Sequence, residues 1–493
     1  MSIYSVHSER FQKAVNFEIA LAAFIGTLAT NIVNISLPAI SRYFYVDTRL
    51  VSWVSIIYLL ALCSTIVVFG RLADIRGFKK IFLAGFAVFT IASLLCALSY
   101  DIYILIASRG LQAIGAAMFI AVGPAMISTI LPPEIRGRSM GYLSIAAAVG
   151  IALGPGIGGF LTTYLSWRSI FLVNIPVSIF AIALGMKIIP DVPGSGSDEK
   201  VDYTGAFLIM ASMAGIAFAM NMGRSLGFGS PLIVASILVF LGCSAAFLLR
   251  ERGISQPLVD LDLFQKRCFL YANVASMMSM LVFAGAMFVL PFYLQVLRGY
   301  QAHISGLILM APPLAMMLIA SFAGSYADSH GSRGICAGAS ILSVISFVLL
   351  STIDGSTPMP LVIAYTVLMG VSITMFVSPN MSFIMGKCPE NRKGIGSSLT
   401  MGIRYLGSMI GVASFGAVYS AYLPEAVGST SSLGIEASTA MASAFHNSFI
   451  LGIVFSLFML VFTAMGQWRR CYICPNSKER IHQTPAIELC NSS

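Results

Sequence analysis

Long apolar stretches, separated by short segments rich in charged residues, glycine or proline, run along the chain from residue 14 to residue 466. A transmembrane α-helix needs about 20 mostly apolar residues. Fourteen stretches meet that requirement, at 14–37, 51–69, 80–99, 102–125, 139–163, 168–189, 203–222, 231–249, 268–296, 303–325, 334–353, 359–384, 395–421 and 444–466. The pattern predicts an all-α polytopic membrane protein.

Composition points to the same class of protein. Hydrophobic residues make up 57% of the chain and charged residues 10%, whereas a soluble domain carries about 25% charged residues. The net charge of +9 comes from basic residues in short segments between spans, so no nucleic-acid partner is expected. The lone Cys471-x-x-Cys474 pair lacks the second pair of a structural zinc site, so no metal is predicted. No cofactor is predicted either, and the absence of a P-loop, an HExxH or a nucleophile elbow argues against an enzyme.

Basic residues are distributed unequally between the two sides of the predicted bundle. If segment 70–80 is cytoplasmic, the opposite side holds few of the 29 Lys and Arg residues, namely Arg42, Arg49, Arg168, Arg224 and Arg298. Cytoplasmic loops of membrane proteins carry an excess of Lys and Arg. We therefore expect a multi-pass protein of the cytoplasmic membrane with both termini in the cytoplasm.

The chain contains an internal repeat. Segment 324–333 repeats segment 70–79 at a constant offset, with the matched pairs Gly70/Gly324, Ala73/Ala327, Asp74/Asp328, Gly77/Gly331 and Lys79/Arg333. Parallel repeats are typical of transporters whose halves rock against each other. The predicted units are a first half at 1–189, a linker at 190–202, two inserted helices at 203–249, a linker at 250–267, a second half at 268–466 and a tail at 467–493.

Segment 70–80, GRLADIRGFKK, resembles the loop between helices 2 and 3 of the major facilitator superfamily, Gly-x-Leu-Ala-Asp-Arg-x-Gly-Arg-Lys. Asp74 is predicted to bond to a helix N-terminus, and the basic residues to helix C-terminal ends, closing the cytoplasmic side. The predicted latch comprises Gly70, Arg71, Asp74, Gly77, Lys79 and, from the repeat, Asp328. The alternative is an ordinary charged turn.

The fifth span carries GIALGPGIGG at 150–159, which resembles the antiporter motif of the same superfamily. Its key residues are Gly150, Gly154, Pro155, Gly158 and Gly159. Small residues let membrane helices approach closely, and an internal proline removes a backbone hydrogen bond. We expect this helix to permit sliding between helices; the alternative is a helix that only packs.

Arg109 lies inside the fourth span, about 10 Å from its outer end. Ionisable residues at such depth are costly and mark functional sites. Arg109 and Gln112 match the superfamily's fourth-helix motif, in which the arginine is linked to proton transfer. The alternative is an arginine held by backbone carbonyls for folding. Arg404 is a second arginine within a span.

Further motifs resemble the fourteen-helix drug:proton antiporter branch, among them SWRSIFLVNIPVS at 166–178 and LPFYLQVLRGY at 290–300. The first span departs from that branch's pattern, Leu-Asp-x-Thr-x-Val-Asn-x-Ala-Leu-Pro. Asn34 is retained, but Ala29 replaces the aspartate and Asn31 replaces the threonine. That aspartate is a candidate for binding protons and cationic drugs, so Ala29 puts both roles in question here.

Glu18 is the clearest acidic residue within the spans. It lies on the same helix face as Ala29, about 16 Å nearer the cytoplasm. It is a candidate carboxylate partner for Arg109 facing an inward cavity; the alternative is an interfacial glutamate near Arg10 and Lys13.

The resemblance implies two six-helix halves with two extra helices between them, and proton-coupled efflux of amphiphilic drugs or other small molecules by alternating access. The expected partners are a small-molecule substrate, protons and the lipid bilayer, and the protein is expected to act as a monomer. Candidate coupling or substrate residues are Arg109, Glu18, Asn31, Asn34, Gln112 and Arg404. The alternatives are export of a neutral or anionic metabolite on the same fold and, more remotely, a membrane-embedded sensor or enzyme.

Overall fold

A computed structural model describes residues 9–192, 202–254, 261–389, 393–423 and 435–468. Fourteen of its helical segments are long and apolar enough to cross a membrane, which confirms the predicted number of spans. Most of the two predicted linkers, and nearly all of the tail with its Cys471-x-x-Cys474 pair, lie outside the described residues.

The first half is a six-span bundle in which the first and sixth spans are interrupted. Its helices are α1 (Glu9–Asn31), α2 (Leu37–Phe44), α3 (Thr48–Arg76), α4 (Phe78–Leu98), α5 (Ile102–Ile130), α6 (Pro133–Tyr164), α7 (Ser169–Leu172) and α8 (Asn174–Ile188). A 3-10 turn at Asn34–Ser36 joins α1 to α2. Pro38 lies in the first turn of α2, where its missing N–H is not needed.

The two inserted helices, α9 (Tyr203–Leu226) and α10 (Pro231–Gly253), form a hairpin. Asp202 ties its two ends together, because its side chain accepts a hydrogen bond from the Gly205 N–H at 2.9 Å and pairs with Arg250 Nη2 at 3.0 Å. The hairpin packs on α3 through a Trp53–Phe218 ring contact, with centroids 6.2 Å apart.

The second half is also a bundle of six spans. Its helices are α11 (Leu261–Gln265), α12 (Arg267–Phe292), α13 (Ala302–His330), α14 (Ser332–Ser351), α15 (Met359–Lys387), α16 (Lys393–Ala421) and α17 (Ile435–Trp468). A π-helical turn at Tyr293–Leu297 extends α12. The whole is an all-α polytopic fold of two six-helix halves with two helices between them, as the sequence predicts.

Several helices are longer than the apolar stretches that predict them. Helix α3 continues past residue 69 to Arg76, and α6 begins at Pro133 rather than near residue 139. Hydropathy reports which residues suit the membrane interior, whereas backbone hydrogen bonding continues into polar flanks. The added turns carry charged residues of the connecting segments, such as Asp74 and Arg138.

The buried core is divided differently at the two ends of the bundle. We call the end with segments 70–80 and 324–333 the loop end, and the opposite end the far end. At the far end one hydrophobic cluster joins both halves, for example Phe171 with Phe288 and Phe415. At the loop end the described residues form separate clusters, one around Phe82 in the first half and two in the second half. One hydrophobic cluster therefore joins the halves at the far end. At the loop end the buried clusters are separate, and among the described residues of the second half only the partly buried Tyr405 packs against that of the first half.

Candidate functional site

Arg109 lies in the middle of the first half and is only 1% exposed. Its Nε donates to the carbonyl of Val54 on α3 at 3.2 Å, and its Nη1 approaches the carbonyl of Ala29 on α1 at 3.4 Å. The guanidinium carbon lies 4.0 Å from the centre of the Tyr58 ring, a cation–π contact. One cation thus joins α1, α3 and α5.

Gln112 completes the arginine's hydrogen bonding. Residues three apart on a helix share a face, and Arg109 Nη1 donates to Gln112 Oε1 at 2.6 Å. Gln112 Nε2 donates in turn to Ser93 Oγ at 2.7 Å, and Ser93 donates to the Phe89 carbonyl. The sequence correctly placed Arg109 and Gln112 together, and the chain of hydrogen bonds continues into α4.

The positive charge of Arg109 is stabilised by dipoles and an aromatic ring. No ion pair joins it to a carboxylate within the described residues. The contacts with backbone carbonyls are those expected of an arginine that serves folding, which was the alternative considered from the sequence. The arrangement also leaves a buried cation for which two of the three hydrogen-bond acceptors, the carbonyls of Ala29 and Val54, belong to other helices.

Asn31 and Asn34 lie close to this cluster but bind other groups. Asn31 Nδ2 donates to the Thr27 carbonyl within α1 at 2.8 Å. Asn34 Oδ1, in the 3-10 turn, accepts from Ser55 Oγ of α3 at 3.0 Å. Asn34 therefore ties the break between α1 and α2 to α3, whereas the Asn31 amide bonds within its own helix.

Arg404 lies in the other half of the molecule, on α16. Its Nη2 approaches Met280 Sδ of α12 at 3.7 Å, and its Nε is buried with no hydrogen-bond partner among the described residues. The neighbouring Tyr405 packs against the far-end cluster and against the loop-end cluster of the first half. Arg404 thus lies in the second half, beside a residue that reaches across to the first half.

Glu18 is fully buried among the helices. Neither carboxylate oxygen has a hydrogen-bond partner among the described residues. On α8 it faces Gly185, where an added Cβ would lie 3.1 Å from Glu18 Oε1. The structure therefore places Glu18 at the α1–α8 contact and does not pair it with Arg109.

The two copies of the loop motif adopt the same turn. Gly77 ends α3 with a φ of 94°, and Gly331 ends α13 with a φ of 82°. Their N–H groups donate to the carbonyls of Ala73 and Ala327, at 2.9 and 2.8 Å. A positive φ favours glycine, which explains why glycine recurs at this position of the repeat.

At the loop end Lys79 contacts a helix C-terminal end, the kind of contact predicted for the latch's basic residues. Its Nζ donates to the carbonyl of Met186, in the last turn of α8, at 3.1 Å. Asp74 and Asp328 are both exposed on the loop-end surface. Gly70 and Arg71 belong to the last two turns of α3.

The glycine motif of α6 has two packing faces. Gly150 and Gly154 face α1, and Gly158 faces Ile32 and Ile35, which follow α1. A Cβ added at Gly154 would lie 2.9 Å from Asn31 Cβ. Gly159 faces α13 of the other half, where an added Cβ would lie 3.1 Å from His303 Cα. Pro155 is also at this second contact, because a Cβ on Gly306 would meet its carbonyl.

Two residues of the arginine cluster were missed from the sequence, Tyr58 and Ser93. Both are fully buried. A tyrosine within an otherwise apolar span is a usable signal, because a buried phenol needs a polar or cationic neighbour. Ser93 carries no such signal, since a serine can satisfy itself by bonding to its own helix. Within the described ranges, no group of three or more His, Cys, Asp or Glu side chains is placed to hold a metal ion.

Comparison with known proteins relates this chain to a family of membrane transporters. The family model described as Major Facilitator Superfamily matches residues 19–412. The riboflavin transporter RibZ of Clostridioides difficile is 32% identical over 402 residues, covering 81% of this chain and 87% of RibZ. The multidrug resistance protein Stp of Mycobacterium tuberculosis is 29% identical over 406 residues, covering 82% of this chain and 75% of Stp. The crystal structure of a D-xylose-proton symporter superposes with a TM-score of 0.66 at 13% identity, covering 93% of this chain and 99% of the symporter.

Proposed function

The chain belongs to the Major Facilitator Superfamily, and on that basis we propose that it exports amphiphilic drugs or other small molecules in exchange for protons. The relative named a multidrug resistance protein supports a drug substrate. The units proposed to rock are residues 1–189 and 268–466, with the two inserted helices between them.

The division of the core is the observation that carries the proposal. One hydrophobic cluster joins the halves at the far end, whereas at the loop end each half has its own clusters. Such a molecule can open a central path at the loop end while the far end stays closed, which is one of the two states that alternating access requires. The excess of Lys and Arg favours the loop end as the cytoplasmic end, so we propose that both termini are cytoplasmic. We also propose that the protein acts as a monomer.

Arg109 is proposed as the coupling charge, with Gln112 as its fixed neighbour. Two of its three hydrogen-bond acceptors belong to α1 and α3, so movement of either helix changes how well the cation is stabilised. A buried charge responds strongly to lost partners. In this proposal the positions of α1 and α3 are thereby linked to the protonation of groups near Arg109.

The charges within the spans bear on the class of substrate. Position 29 carries alanine, and Arg109 and Arg404 lie on opposite sides of the contact between the halves. Removing a cationic substrate from water and placing it beside these two arginines is costly unless a negative charge compensates. We propose that neutral and anionic amphiphiles are preferred over dications, with Asn31 and Asn34 as candidate polar contacts for substrate.

A second candidate function is export of a neutral or anionic metabolite on the same fold. The alanine at position 29 favours it, because a cation-binding carboxylate is missing there. The relative named a riboflavin transporter supports the same class of substrate.

At the loop end we propose that segment 70–80 acts as a latch. Lys79 holds the C-terminal end of α8, and the exposed Asp74 binds a helix N-terminus when the loop end closes. The glycine-rich faces of α6 would let α1 and α13 move past it.

An efflux assay tests the proposal. Cells lacking their own drug exporters would be loaded with riboflavin (neutral), rhodamine 6G (monocation), fluorescein (anion) or propidium (dication). We expect expression of the protein to accelerate efflux of neutral or anionic compounds, a protonophore to abolish the acceleration, and Arg109→Gln to lose it while remaining inserted. Efflux that persists with the protonophore would favour the metabolite exporter without proton coupling, and strong propidium efflux would contradict the proposed charge preference.

A further inference from the structure

Glu18 is a fully buried acid that the arginine cluster does not use. It lies on α1 against α8, with both oxygens lacking a hydrogen-bond partner among the described residues. Gly185 provides the space for it, since a methyl group there would lie 3.1 Å from Glu18 Oε1 and 3.0 Å from Leu83 Cδ2. The carboxyl group is thus enclosed by α1, α4 and α8.

The charged side chains of the surrounding elements are engaged elsewhere or exposed. Lys13 of α1 pairs with Glu9 at 2.7 Å. Lys79 of α4 donates to the Met186 carbonyl, and Arg136 and Arg138 of α6 donate to the Leu131 carbonyl and to Tyr142 Oη. The remaining charged neighbours on these elements are exposed, namely Arg10, Lys80, Glu134 and Lys187. No ion pair among the described residues includes Glu18.

A carboxylate in such a place would lose its hydration without compensation, whereas a neutral carboxyl group loses far less. The α1–α8 contact seen here therefore accommodates the protonated acid. Opening the contact would admit water, and the carboxyl group could then ionise.

The same turn of α8 also contacts the loop. Gly185 touches Glu18, and the next residue, Met186, accepts the hydrogen bond of Lys79. A movement of this turn therefore changes the surroundings of Glu18 and also those of Lys79, a residue of the predicted latch. Among the described residues, Glu18 is the only buried acid within the spans of the first half.

We propose that Glu18 binds the coupled proton, at a site between α1 and α8 that is separate from the arginine cluster. The proton is bound while the contact is closed, as here, and it leaves to water at the loop end when the contact opens. The carboxylate that remains is reprotonated after the two halves have separated at the far end. This assignment rests on the proposed proton coupling, and it deepens that proposal by separating the proton site from the substrate path.

The first test needs no substrate. The full-length protein, Glu18→Gln and the exposed-acid control Glu134→Gln would be compared by infrared difference spectroscopy during a pH titration. We expect a carbonyl band of a buried protonated acid in the native protein and in Glu134→Gln, and its loss in Glu18→Gln. A band that persists in Glu18→Gln overturns the assignment.

The second test measures transport in proteoliposomes, with riboflavin, rhodamine 6G and fluorescein as probes. We expect Glu18→Gln to lose the acceleration produced by a pH gradient, at least tenfold, while retaining exchange without a gradient. A Glu18→Gln protein that responds to the gradient like the native protein overturns the inference. A native protein that ignores the gradient with every probe would instead defeat the proposed function, and the infrared band still decides the role of Glu18.

Should Glu18→Gln fail to fold, Gly185→Ala keeps the acid and crowds it. We expect this variant to shift the pH midpoint of the infrared band, while Gly137→Ala, whose added methyl meets nothing within 4 Å, leaves it unchanged. An unshifted midpoint in Gly185→Ala would also overturn the assignment.

Discussion

Two adjacent glycines of α6 offer a test that separates fold stability from movement between the halves. An added methyl at Gly158 would lie 2.7 Å from Ile35 Cγ2, within the first half. An added methyl at Gly159 would lie 3.0 Å from the Ala302 carbonyl carbon of α13, in the second half. Both distances are too short for an unperturbed contact, so each alanine must push its neighbour away.

The two substitutions should cost similar free energy in different places. Overpacking a tight contact costs about 1–3 kcal/mol, and replacing a helical glycine by alanine returns about 1 kcal/mol in both cases. In Gly158→Ala the strain falls on the fold of the first half. In Gly159→Ala it falls on the far-end contact between the halves. Because α6 is helical in both conformations, the gain from alanine cancels and the full strain shifts the conformational equilibrium, by about 5–150-fold, away from the state seen here.

Thermal unfolding and hydrogen exchange of the full-length protein measure the two effects. We expect Gly158→Ala to lower the unfolding midpoint without redistributing exchange. We expect Gly159→Ala to raise exchange at the far-end segments near residues 160 and 302 and to lower it in the loop-end parts of α6 and α13. Gly137→Ala, on the same helix with no neighbour within 4 Å, is the matched control. Identical exchange patterns in the two variants would refute the two-face interpretation of the motif.

Three further predictions address the loop, the inserted helices and position 29. Asp74→Asn should reduce transport with normal membrane insertion, and Asp328→Asn should have a smaller effect because its copy lacks the basic cluster; equal rates in Asp74→Asn and native protein would contradict the latch. Joining residue 190 to residue 250 by a flexible linker should preserve the topology of both halves, whereas loss of all folded protein, judged by size-exclusion chromatography, would make the hairpin a structural part of the core. Ala29→Asp should improve efflux of rhodamine 6G relative to riboflavin, because it places a carboxylate beside the carbonyl that Arg109 Nη1 approaches; an unchanged ratio would argue against position 29 as a determinant of charge preference.

The architecture was accessible from the sequence because membrane burial imposes a strong and simple pattern. All fourteen spans could be predicted from apolar length alone. The exact helix ends could not, as α3 and α6 show, because polar flanks continue the helical hydrogen bonding outside the apolar stretch. The interruption between α1 and α2 was also missed, although Asn34, Ser36 and Pro38 in this stretch are residue types that disfavour a helix interior.

The site was predicted in part, for reasons that depend on the residue. Arg109 is conspicuous because a charge in a span is costly, and Gln112 shares its helix face. The partners of the arginine are backbone carbonyls and the Tyr58 ring, and no side-chain pattern marks a carbonyl as a partner. Helix periodicity put Glu18 on the same face of α1 as Ala29 and suggested it as a partner for Arg109, but periodicity within one helix cannot say that α8 covers it.

The most direct test of the central claim is proton movement caused by substrate. Proteoliposomes containing the native protein and a trapped pH-sensitive dye would receive riboflavin, rhodamine 6G or fluorescein from outside, with no initial pH gradient. Entry of a transported compound in exchange for protons should make the lumen more alkaline, in proportion to the compound taken up and not in protein-free vesicles. Measured uptake of a compound without any change in lumen pH would contradict proton-coupled exchange.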